Sequence, residues 1–138
     1  MILYAETSAV LRWILGQADA EPVRDALSRA SRIVTSVLTV LECERAFIRI
    51  ASSTPAQARA EARTQFLSAI PYWTLVEMHA AIRARASKPF PVEPIRTLDA
   101  LHLATIAELE PTVGPLRVLS TDDRVVSNCH ALGWPVLP

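Results

Sequence analysis

The chain has 138 residues, enough for one domain with a sizeable core and too few for two. Hydrophobic residues make up 51% and charged residues 20%, which excludes a disordered chain. A formal net charge of zero excludes a global basic field that would hold nucleic acid by charge alone, although a local acidic site balanced by a basic rim stays open.

Lys88 is the only lysine, and the remaining basic residues are arginines. An arginine fork suits phosphate, but a preference for arginine codons explains the bias as well. Cys43 and Cys129 form neither a disulfide framework nor a metal-ligand spacing, so a reduced, cytoplasmic setting is the default expectation. The opening MILYAETSAVLRW lacks the basic start and apolar run of a secretory leader. No stretch is apolar for long enough to span a bilayer.

Taken in chain order, Ile2 to Ala5 reads as a short buried strand, followed by helical spacing over Ala9 to Leu15. A second helix fits Glu21 to Ala30, with Pro22 in its first turn. Ile33 to Thr35 is a second strand, and Ser36 is placed to cap a helix over Val37 to Ile50 with Leu38, Leu41 and Ile48 as its apolar face. Thr54-Pro55 starts a helix over Ala56 to Ile70, and Pro71 stops it. Trp73 to Val76 is a third strand and Met78 to Ala86 a further helix. The three prolines between Lys88 and Arg96 require an extended loop. Thr97 is expected to cap a buried helix over Leu98 to Glu108. Leu116 to Leu119, Asp122 to Leu132 and Pro135 to Leu137 complete the set as strand, helix and edge strand. Short strands alternating with helices predict a single α/β domain over residues 1–138, in three α/β/α layers around a mainly parallel sheet.

In such sheets ligands bind beyond the carboxyl ends of the strands, and this is where the acids fall. Glu6 follows the first strand, and Asp122 and Asp123 follow the fourth. Asp99 lies in the first turn of the buried helix, and Glu42 sits on an apolar helical face beside Leu38 and Leu41. Each alone has a plain structural explanation. Asp99 complements a helix dipole, Asp122 or Asp123 caps a helix, Glu6 caps the next turn, and Glu42 joins a solvated stripe with Glu44 and Arg45. Together they repel one another unless a cation neutralises them, and oxygen-only ligands select Mg²⁺ or Mn²⁺ over zinc.

Other α/β chemistries lack their residues. No phosphate-binding G-x-x-x-x-G-K-[ST] loop is present, and three glycines, Gly16, Gly114 and Gly133, form no dinucleotide fingerprint. A phospho-acceptor receiver domain needs a lysine after a late strand, which is absent. His79, His102 and His130 have no metal spacing, and His102 reads as a core residue or a support to the acids.

Four segments in order resemble the PIN-domain endoribonucleases, and among them the VapC-type toxins of bacterial toxin–antitoxin pairs. They are Tyr4–Ala9, Ser36–Ala46, Leu98–Thr105, and Leu119–Arg124 taken with His130–Val136. The resemblance implies a metal-dependent ribonuclease with Glu6, Glu42, Asp99 and Asp123 as its acids. Asp123 is taken over Asp122 from the pattern Thr, any residue, Asp. Glu6, Asp99 and Asp123 would bind the Mg²⁺ or Mn²⁺ ion, and Glu42 would orient or deprotonate a metal-bound water. Thr7, Ser8, Arg45, Thr121 and Asp122 would contact that water or the phosphate. The resemblance also implies a cognate VapB-type antitoxin, a structured RNA substrate and a homodimer. Trp13, Ile14, Phe47 and Ile48 would serve either an apolar docking surface or the core.

One position departs from the family: its first acid is normally Asp, and here it is Glu6. The extra C–C bond carries the carboxylate on the order of 1.5 Å further. Misplacement by about 1 Å can cost roughly 10²-fold in rate. A degenerate PIN domain acting as a non-catalytic binding module is therefore the alternative. A metal-dependent phosphatase on a similar fold is the more distant one.

Overall fold

The computed structural model describes residues 1–138. Five strands, β1 (Ile2–Ala5), β2 (Arg32–Ser36), β3 (Thr74–Val76), β4 (Leu116–Leu119) and β5 (Val136–Leu137), form one sheet in the order β3-β2-β1-β4-β5. Every pairing is parallel. Seven α-helices connect them: α1 (Thr7–Ile14), α2 (Ala20–Arg29), α3 (Val37–Arg49), α4 (Ala56–Ala69), α5 (Ala80–Ala86), α6 (Thr97–Val113) and α7 (Asp123–Ala131). The expected α/β/α architecture is the observed one.

The strands' two-residue period divides the core. Leu3 and Ala5 point to one face of β1, where they meet Val10, Val23, Phe47 and Phe66 from α1 to α4. Tyr4 points to the other, among Ile82, Leu103, Ile106 and Val125 from α5 to α7. The chain builds outward from β1 to β2 and β3, then returns to lay β4 on the opposite side. The carboxyl ends of β1 and β4 thus flank the point where strand order reverses.

Several boundaries shift for local reasons. Helix α1 begins at Thr7 because the Glu6 carboxylate caps it, accepting the Ser8 N–H at 3.1 Å. Ser36 caps α3 as expected, accepting from the Leu38 N–H at 3.1 Å. The expected apolar face of α3 is wrong in two of its members: Leu41 and Ile48 are exposed, while Leu38, Thr39, Cys43, Ala46 and Phe47 are buried. Thr97 is the first residue of α6 and Arg96 holds the cap position. This helix runs past Glu108 to Val113 and carries Pro111 in its last turn. Ile14 and Phe47 are core residues, and Trp13 stacks on Trp73 with ring centroids 6.1 Å apart. Only Ile48 of the four possible docking residues stands exposed. No helix is long and apolar enough to cross a membrane.

The proline-rich loop before α6 is pinned by one buried amide. Asn128 accepts the Val92 N–H at 2.9 Å and donates to the carbonyls of Val92 and Arg124, each at 3.0 Å. Asn128→Ala strands those backbone groups and is expected to lower the unfolding free energy by about 1–3 kcal/mol. Urea unfolding, with faster proteolysis inside residues 88–96, checks this.

Candidate active site

A cleft of about 590 Å³ opens where β1 and β4 end. Glu6, Glu42, Asp99 and Asp122 line it together with Thr7, Ser8, Arg49 and Arg96. An adjoining lobe of about 280 Å³ shares Thr7, Glu42 and Arg49 with it and takes in Arg45. Asp123 is exposed in the first turn of α7 and is not on the cleft wall. The turn after β4 places Asp122 there instead, as the N-cap of α7.

Three of these acids sit at helix N-termini, and the helices hold them. Glu6 Oε2 accepts from the Ser8 N–H, from Ser120 Oγ at 2.9 Å and, in a short contact, from Ser8 Oγ. Asp122 Oδ1 accepts from the Arg124 and Val125 N–H groups at 2.9 and 3.4 Å. Asp99, at the third position of α6, accepts the Arg96 N–H through Oδ2 at 3.1 Å. Amide donors and the positive end of the helix dipole stabilise negative charge at each place.

Glu42 lies in mid-helix and is held by side chains. Its Oε1 accepts from Thr7 Oγ1 at 2.8 Å and lies 2.7 Å from His102 Nε2. The other imidazole nitrogen, Nδ1, is 2.8 Å from the Tyr4 hydroxyl. His102 Nε2 also lies 3.8 Å from Glu6 Oε1, so one buried ring stands between two acids. Burial alone lowers the pKa of that ring. The Glu42 hydrogen bond and the charges of Glu6, Glu42 and Asp99 outweigh it, and the net direction is upward. Tyr4 moves well above its ordinary value through burial first and the Glu6 charge second, so its hydroxyl stays protonated.

Asp99 and Asp122 have a different cation. Arg96 Nε is 3.5 Å from Asp99 Oδ2, and its Nη2 is 3.6 Å from Asp122 Oδ2. Sequence reasoning missed Arg96, and its signal was a basic residue three positions before a first-turn acid. Ser120 was missed too, although a small hydroxyl residue at a strand end beside Thr121 is the same kind of signal. Thr121 contributes through its backbone, donating N–H to Ser8 Oγ at 2.9 Å. Cys43 and Cys129 are buried and free, and burial pushes the Cys129 thiol up to about 12, which leaves it inert.

The donor chemistry, carboxylates only, fits a hard divalent ion. Each helix-end acid spends one oxygen on its cap or on hydroxyls and keeps another: Glu6 Oε1, Asp122 Oδ2, and Asp99 Oδ1, which has no protein hydrogen bond and is not sealed from solvent. In the present arrangement, however, no three acid, histidine or cysteine side chains already converge as a cage.

A parallel α/β domain with its acids gathered at the strand-order reversal is what the fold and the cleft define. A sequence profile of the PIN domain matches residues 3–128. The chain belongs to the PIN-domain family. It is 31% identical over 140 residues to Ribonuclease VapC35 of Mycobacterium tuberculosis (strain ATCC 25618 / H37Rv), covering 99% of this chain and 96% of that protein. Among solved structures it is similar to VapC20 of Mycobacterium tuberculosis, a Sarcin-Ricin loop cleaving toxin, with a TM-score of 0.65 at 12% identity over 91% and 93% of the two chains. It is also similar to VapBC-5 of the same organism, from the VapBC family of toxin–antitoxin systems, with a TM-score of 0.64 at 16% identity over 98% and 96%.

A raised histidine has a testable sign. Its stabilising contribution is complete below the ordinary value of 6.5 and is lost as pH rises through the higher folded value. In EDTA, the protein is expected to lose stability from mildly acidic toward alkaline pH, and His102→Gln to flatten that loss. Urea titrations across pH measure it; an unchanged profile in the variant would remove His102 as the charged partner of Glu42.

Proposed function

We propose that this protein is a metal-dependent endoribonuclease, the toxin of a toxin–antitoxin pair, acting on structured RNA in the cytoplasm. The observation that carries the reading is the gathering of Glu6, Glu42, Asp99 and Asp122 in one cleft at the reversal point of a PIN fold. Similarity to VapC35 over nearly the whole chain and to the VapC20 fold supports the substrate class.

In this reading Glu6, Asp99 and Asp122 hold Mg²⁺ or Mn²⁺. Bound there, such an ion supplies an acidified water and charge stabilisation at the scissile phosphate. The chain's own residues do the rest. Glu42, fixed through Oε1 by Thr7 and His102, is placed to orient a water or take its proton at the other carboxylate oxygen, Oε2. When the ring is protonated, His102 donates its Nε2–H to Glu42 Oε1, and the Tyr4 hydroxyl fixes the ring from its far side. Arg45 and Arg49, on the walls of the cleft and its lobe, are placed to bind backbone phosphates. Asp122 replaces Asp123 as the fourth acid because the turn after β4 puts it on the cleft wall.

A VapB-type antitoxin and a homodimer complete the reading. The exposed Leu41 and Leu98 flank the two lobes and offer apolar contacts to a partner segment that covers the acids.

The decisive experiment is single-turnover cleavage of a structured RNA in Mn²⁺. Asp99→Asn is expected to slow it by at least ~10²-fold, the scale set by loss of placement at a reacting centre. Asp122→Asn should be slowed far more than Asp123→Asn, and the reverse order would restore Asp123 to the site. Equal cleavage by wild type and Asp99→Asn would sink the assignment.

A second reading, a binding module without catalysis, draws on the Glu6 carboxylate, whose Oε2 is already taken up by Ser8 and Ser120. Glu6→Asp separates the two. A large gain in cleavage or Mn²⁺ affinity marks a degenerate site, and a loss shows a site built around Glu.

A further inference from the structure

The four acids divide into two pairs with different counter-charges. Glu6 and Glu42 face His102, whereas Asp99 and Asp122 have one cation within ion-pair distance, Arg96. Arg49 lines the same cleft and forms no ion pair. We propose that Arg96 is the site's resident counter-ion, neutralising Asp99 and Asp122 until a divalent cation displaces it. This rests on the metal-dependent reading above.

Geometry makes the exchange feasible. The two contacts, 3.5 and 3.6 Å, exceed the roughly 2.7–2.9 Å of a strong charge-assisted hydrogen bond. The Arg96 side chain is 66% exposed, so it can turn outward without burying its charge. Its backbone N–H stays bonded to Asp99 Oδ2 at 3.1 Å, and α6 keeps its first turn when the guanidinium swings away.

Competition follows from the oxygens involved. Arg96 takes Asp99 Oδ2 and Asp122 Oδ2, and the latter is the oxygen that the α7 cap leaves free. A divalent ion held by Asp99 and Asp122 would draw on that same free Asp122 oxygen, against which Arg96 Nη2 lies. Its double charge on a smaller radius replaces a loosely held single one, and the swap leaves both acids neutralised.

The test is Mn²⁺ binding without RNA, read from the loss of the free-ion paramagnetic resonance signal. Arg96→Ala is expected to bind Mn²⁺ about 2–5-fold tighter than wild type, the upper part of the range that removing a weak exposed ion pair allows. Arg96→Lys should stay near wild type, and so should Arg49→Ala, which deletes the same charge from the same cleft without an ion pair. In EDTA, Arg96→Ala should melt below wild type, and Mn²⁺ should raise its melting temperature by more. Should Arg96→Ala fail to fold, Arg96→Gln carries the same comparison.

Unchanged or weaker Mn²⁺ binding in the folded Arg96 variant, beside clear binding by wild type, overturns the inference alone. Equal tightening by Arg49→Ala also overturns it, because a general charge effect would then suffice. Absence of Mn²⁺ binding by wild type and every variant overturns the metal reading and this inference with it.

Discussion

Carboxylates gathered in one partly buried cleft repel one another, and that repulsion must be met before any of them can act. In water the cost is screened; with Glu6 and Asp99 each only 5% exposed, it is not. The surrounding fold can be understood as the means of meeting it. Three acids are seated on the N-termini of α1, α6 and α7, where unpaired amides and the helix dipole favour negative charge. The strand-order reversal between β1 and β4 brings the starts of α1 and α7 together at one sheet edge. The fourth acid, Glu42, has no helix end and takes a buried histidine and a threonine instead.

That division has consequences for packing. His102 is fully enclosed on α6, and an enclosed imidazole is tolerated because both of its nitrogens have partners, Tyr4 on one side and Glu42 on the other. Tyr4 belongs to β1, in the core on the α5–α7 side, while Glu42 belongs to α3 across the sheet. The chain Tyr4–His102–Glu42–Thr7 therefore crosses between layers at the sheet's carboxyl edge. Site and core are coupled there: a change in the charge of Glu42 is felt by a residue of the central strand.

Much of this was legible in the sequence, and what was not has a physical reason. Strands and helices alternate strongly enough to give the layers, and Glu6, Glu42 and Asp99 stand where strand ends and apolar helical faces make a charge conspicuous. The apolar face of α3 was misjudged because Leu41 and Ile48 fit a helical period while the core takes Thr39, Cys43 and Ala46, small residues that let α3 sit close to the sheet. Asp122 and Asp123 differ by one residue of helix phase, which a motif does not display: the side chain that accepts from Arg124 and Val125 is the one that lines the cleft. Arg96 left only a local signal, three residues before Asp99; its second partner, Asp122, reaches it only through the fold.

Glu6 is the position where these lines meet. A shorter Asp would cap α1 at least as well, since Asp is among the preferred N-cap residues. Capping therefore does not explain the longer side chain. The Glu6 carboxylate lies with Oε2 between Ser8 and Ser120 and Oε1 3.8 Å from His102 Nε2. Glu6 thus joins the electrostatic group centred on His102, opposite Glu42, whereas Asp99 and Asp122 form the group centred on Arg96. A cation entering this cleft meets one acid pair whose counter-charge is buried and fixed, and another whose counter-charge is exposed and loosely held.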